Sequence, residues 1–105
     1  MAKLITVYWR DIPAQVMGRQ GRKTAFKKLL HPRFQEAIDR AAMRAGRGSS
    51  DDYLADWRRE SQACEGDLEA AVDAEVKRLE EGFPADRLEL VVRAGGRADA
   101  GGRDE

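Results

Sequence analysis

Leu4-Ile5-Thr6-Val7-Tyr8-Trp9 runs six residues without a charge, and five of the six are β-branched or aromatic. Such side chains fill a pleated surface well, and both alternating sets, Leu4-Thr6-Tyr8 and Ile5-Val7-Trp9, are suited to burial. The run therefore predicts a central strand with both faces at least partly covered. Asp11-Ile12-Pro13 predicts a break after it, because proline has no amide hydrogen to give a ladder and restricts the residue before it. Ala14 to Met17 resumes as a second short strand, Gly18-Arg19-Gln20-Gly21 supplies a turn, and Lys23 to Leu30 reads as a third strand. The N-terminal part is thus expected to be an antiparallel meander.

Past Leu30 the apolar period changes from two to about 3.6. Pro32 suits a first helical position, and Phe34, Ala37, Ile38, Ala41 and Ala45 recur at helical spacing until Gly46 offers a C-terminal cap. Ser49 and Ser50 can cap a shorter helix, with Asp51 and Asp52 at its positive end and Tyr53, Leu54 and Trp57 on one face. Asp67 to Glu81 predicts another: Leu68, Ala71, Val72, Val76 and Leu79 make its stripe, and Gly82-Phe83-Pro84 ends it. Residues 85–94 fit two patterns, a strand alternating at Leu88, Leu90 and Val92 or a helix with Leu88, Val91 and Val92 on one side; the helix is the preferred reading. From Gly95 onward glycines and charges predict a flexible tail. The expected fold is α+β: one domain over residues 1–94, with a small three-stranded antiparallel sheet packed against three or four helices, and a tail over 95–105.

A chain of 105 residues holds one core. Apolar residues at 42% are enough to fill it, and charged residues at 36% predict a well-solvated surface. The apolar run at Leu4 stops at Arg10, too short for a membrane span or a signal-peptide core, so a cytoplasmic protein that does not enter membranes is expected. One cysteine, Cys64, and one histidine, His31, exclude an intrachain disulfide and a Cys/His zinc cluster, and no metal or cofactor is expected.

The formal net charge of zero conceals two unlike halves. Residues 1–48 carry 11 Lys/Arg against 3 Asp/Glu, and residues 49–105 carry 8 against 16. Either the halves neutralise each other within the fold, or the basic half faces an anionic partner.

Few residues suggest catalysis. His31 stands just before Pro32 and reads as a helix-start residue, and Cys64 has no flanking cation to lower its pKa in a segment, Ser61 to Gly66, expected to be a linker. The carboxylates of the acidic half read as a solvated helix face, so no enzyme is expected. Gly18-Arg19-Gln20-Gly21 has the GxxG form of a phosphate-clamping loop, but its flanks read as strands where that clamp joins helices. It is better taken as a hairpin turn. Arg19, Arg22, Lys23, Lys27 and Lys28 still cluster along that hairpin, where they would suit phosphates or carboxylates. Tyr8, Trp9, Arg10, Asp11 and Gln15 offer a second candidate: a polar and aromatic recognition edge, weighed against Trp9 as plain core and Arg10-Asp11 as a local pair.

Three segments, VYWRDIPAQV from Val7, FQEAIDRAAMRAG from Phe34 and DYLADWRR from Asp52, together resemble the bacterial "virulence factor" domain family. That family comprises small standalone proteins, alphaproteobacterial ones above all, and part of the larger conserved virulence factor C. The resemblance spans residues 4–59 closely and the acidic helix loosely. It transfers no catalytic residue, implies a helix over residues 85–94, and suggests an accessory role near folate- and corrinoid-dependent one-carbon chemistry. The expectation is a non-catalytic interaction module. It would dock the Tyr8–Gln15 edge and the basic hairpin onto an acidic protein surface, with nucleic acid as the alternative partner.

Overall fold

The run at Leu4 becomes β1 (Ala2–Trp9), which has neighbours on both sides, in a computed structural model that describes residues 2–46 and 50–97. Within those residues β1 is followed by β2 (Ile12–Gln20), β3 (Lys23–Leu29), α1 (Pro32–Arg44), α2 (Ser50–Ala55), β4 (Trp57–Cys64), α3 (Leu68–Gly82) and α4 (Ala85–Arg93). The class is α+β as expected, with four helices, but the antiparallel sheet has four strands in the order β3-β2-β1-β4, not three.

Two corrections concern strands. Residues 57–64, expected to divide between the end of a helix and a linker, form β4, whose register pairs Leu4 with Gln62 and Trp9 with Trp57. Its sequence, Trp57-Arg58-Arg59-Glu60-Ser61-Gln62-Ala63-Cys64, lacks apolar alternation because β4 is an edge strand exposed along most of its length; pairing with β1 makes it a strand. Pro13, expected to interrupt, lies inside β2. It sits beside a bulge where Val7 pairs with Gln15 but Tyr8 with Pro13, so the ladder already skips a residue there and a missing amide costs little.

α1 and α3 begin at side-chain caps. His31 caps α1, its Nδ1 accepting from the Arg33 amide at 3.1 Å, and Asp67 caps α3 by accepting from the Ala70 amide. Residues 85–93 are helical. Ser49, proposed as a cap, and residues 98–105 of the expected tail lie outside the described residues. Gly95 and Gly96, also assigned to the tail, are buried.

α3 packs on the inner face of the sheet. Gly18 of β2 is glycine because a Cβ there would stand 2.9 Å from both Leu68 and Val72 of α3. α1 and α4 pack on each other, and their Phe34, Ile38, Leu88 and Val92 join Leu4, Val16, Val72 and Val76 in one core. The core extends to Trp9, which is fully buried. Strict alternation places Trp9 on the outer face with Ile5 and Val7. At that end of the sheet, however, Tyr53 of α2 stacks on its ring with centroids 5.9 Å apart, and the Tyr53 carbonyl accepts from its Nε1 at 2.9 Å. The turn after α4 closes the other side: Gly96 has φ of 98° and lies so near the Trp9 ring that a Cβ would come within 2.9 Å. Only a glycine fits there.

Candidate binding surface

The ten candidate residues separate into a structural group and an exposed group. Trp9 is core. Arg10, at φ 55° in the tight β1–β2 turn, is largely buried, and its Nε donates to Asp56 at 3.1 Å and its Nη1 to the Gly95 carbonyl at 2.9 Å. Asp11 pairs with Arg58, and its amide donates to the Gly96 carbonyl. Tyr8 lies on the inner face with the Arg58 guanidinium 4.4 Å above its ring. Burial, reinforced by the nearby Glu60 and Glu75 carboxylates, pushes the Tyr8 phenol above its ordinary value. These four side chains close the hairpin end of the sheet against α2, β4 and the turn after α4. They do not form a free edge.

The basic hairpin divides by face. Lys28 points inward and pairs with Asp73 of α3 at 3.0 Å. Arg22 and Lys23 stand exposed around the β2–β3 turn, where the Arg22 carbonyl accepts from Arg19 Nη2 at 3.0 Å. Arg19, Lys27 and Gln15 belong to the outer face, since register pairs Lys3 with Arg19, Met17 with Lys27 and Val7 with Gln15.

Two cations absent from the expectation complete that face. Lys3 stands across from Arg19, and Arg59 of β4 stands across from Val7. The outer face thus carries Lys3, Arg19, Lys27 and Arg59 around a strip formed by Ile5, Val7, Met17 and Leu29. Among the four strands the only carboxylate is Glu60, which turns inward to Arg58. None of the four outer cations has an ion-pair partner among the described residues, and Arg19 Nε is buried without a hydrogen-bond acceptor.

The strip is apolar yet lies outside the helix-packed core. Ile5 and Met17 are only 6% and 9% exposed, while Leu29 at the edge is 67% exposed. The result is a cationic face whose apolar centre is nearly covered and whose apolar edge at Leu29 is exposed. Alternation along β1, β2 and β3 carried the signal for most of it; Arg59 was hidden because β4 was not legible as a strand.

The inner face has the opposite character. Between α3 and β4 a cleft of about 340 Å³, its mouth included, is lined by Thr6, Tyr8, Glu60, Glu75 and Arg78 among others. Its charges are already matched, Glu75 with Arg78 and Glu60 with Arg58. No described helix is long and apolar enough to cross a membrane.

A small α+β domain with one roofed and one largely open sheet face defines the class of molecule. The family model described as "Virulence factor" matches residues 7–92, and the chain belongs to that family. Neither the curated proteins nor the solved structures compared with the chain match it.

Proposed function

We propose that this chain is a non-catalytic interaction module that receives an acidic protein on the cationic side of its sheet. One observation carries the reading: Lys3, Arg19, Lys27 and Arg59 share a face on which no strand residue is a carboxylate, while Lys28 and Arg58 on the other face are paired within the fold. Unpaired surface cations steer an anionic partner and raise its encounter rate. The Arg22-Lys23 turn extends the same field beyond the sheet. The module acts in the cytoplasm in this reading, and the accessory role in one-carbon chemistry that the family resemblance suggested indicates where an acidic partner is to be sought.

The test is affinity capture from a lysate of the source organism with the wild-type chain and with Lys27→Glu/Arg59→Glu. The reading expects a nuclease-resistant partner that is lost at high salt and recovered poorly by the charge-reversed chain. Equal recovery by both chains contradicts it. Loss of the captured material on nuclease treatment transfers the surface to nucleic acid.

A further inference from the structure

The sheet ends in two edge strands of unlike character. β3 has the features that keep an edge from pairing: Lys23, Lys27 and Lys28, and a bulge where Gly18 pairs with Phe26 but Arg19 with Thr24. β4 has none of these. It holds one register against β1 along its whole length, contains no lysine or proline, and is exposed from Arg58 to Ala63. The Arg10 amide donates to the Asp56 carbonyl at 3.0 Å, continuing the register that pairs Trp9 with Trp57. Hydrogen-bonded pairs alternate along an antiparallel ladder, so Tyr8–Arg58, Thr6–Glu60 and Leu4–Gln62 are the pairs that bond β4 to β1. The backbone N–H and C=O of Arg59, Ser61 and Ala63 therefore point away from the sheet. No described strand meets them, and α3 packs over β1, β2 and β3, leaving β4 clear.

We infer that β4 pairs with β4 of a second copy of this chain, antiparallel about a two-fold axis through Ser61. An axis normal to the sheet keeps each face continuous, so outer residues must oppose outer ones and inner oppose inner. Only registers centred on a residue satisfy this. Centring on Arg58, Arg59 or Glu60 sets a charge against its own copy, which is unfavourable. Centring on Ser61 opposes no like charges and uses every residue from 58 to 64: Ser61 meets the partner's Ser61, Arg59 its Ala63, Arg58 its Cys64, and the Glu60 carboxylate its Gln62 amide. The outward N–H and C=O groups of Arg59, Ser61 and Ala63 then bond one another across the axis. Centring nearer Cys64 pairs fewer residues of the strand.

The contact is isologous and closes as a dimer. Pairing β3 with β4 of a next copy would instead bring its lysines toward Arg58 and Arg59 and continue without end. In the dimer the two outer faces become one surface that carries Lys3, Arg19, Lys27 and Arg59 twice. The two Arg59 residues stand four positions out of register, about 13 Å apart along the strand, where salt screens their repulsion. The pairing does not depend on the acidic-partner reading.

Sedimentation velocity of the full chain over a concentration series is the test, with circular dichroism to check the fold of each variant. The wild-type chain is expected to pass from monomer to dimer with a dissociation constant below about 1 mM. Ser61→Pro removes an amide that does not serve β1, so the fold should remain while dimerisation weakens at least about tenfold. Ser61→Glu keeps the amide but sets carboxylate against carboxylate at the axis, and should weaken the dimer at least about threefold at low salt. A wild-type chain that stays monomeric up to about 1 mM overturns the proposal. So does a dimer that forms equally well in both variants, and one weakened by proline but not by glutamate overturns the register centred on Ser61. If Ser61→Pro does not fold, the glutamate variant decides.

Discussion

Lys27 and Lys28 are adjacent in the chain and face opposite ways. Lys28 reaches Asp73 on α3, and its charge is spent within the fold; Lys27 stands across from Met17 on the open side and has no ion-pair partner among the described residues. The two lysines stand for the two faces of the sheet. On the inner face and at the Trp9 end, cations are matched and apolar groups are roofed. On the outer face, cations surround a strip that the helices leave alone. Composition assigns both lysines to one basic cluster, and only the pleat separates them.

The comparison breaks most visibly at Trp9. Trp9→Ala removes a fully buried ring and the bond to the Tyr53 carbonyl, and a loss of about 3–5 kcal/mol is expected in denaturant unfolding. Gly18→Val forces a branched side chain into the contact with Leu68 and Val72 and should cost about 1–3 kcal/mol by the same measurement. Asp56→Ala leaves Arg10, whose side chain is 12% exposed, with its bond to Gly95 but without its carboxylate, a loss of about 1–2 kcal/mol. The inner face also has a pH signature. With its phenol raised, Tyr8 stays neutral in the folded chain where the unfolded chain ionises; its contribution to stability is intact below about pH 10 and declines as pH rises through the folded value. In an absorbance titration of phenolate, Tyr8→Phe should remove a component that ionises above the ordinary tyrosine value. The outer face gives the smallest stability effect: Lys27→Glu/Arg59→Glu should move the unfolding free energy by no more than about 0.5 kcal/mol per site. A larger loss there would mean that the open face also holds the fold together.

Much of this architecture was legible in the chain. β1 announced itself by β-branched and aromatic density, and α1 and α3 by periodicity; His31 starts α1 as its place before Pro32 suggested, while Asp67, read as the first residue of α3, is its cap. β4 was not legible, since an exposed edge strand needs no apolar alternation and takes its conformation from a partner some fifty residues away in sequence. Missing it concealed Arg59. It also concealed what Arg58 does to Tyr8 and Asp11, which is why Tyr8 to Asp11 read as a recognition edge when contacts from residues 53–58 and 95–96 bury or occupy it. Turn residues of interface-forming types look alike whether their partner is another protein or a distant part of the same chain.

The sharpest test compares Lys27→Glu with Lys28→Glu for affinity toward an acidic peptide. Both substitutions change the net charge equally, at neighbouring positions on one strand. If the open face is the binding surface, the first weakens binding about tenfold and the second leaves it within about twofold of wild type. Equal losses for the two would show that the peptide responds to overall charge, and that the outer face holds no distinct site.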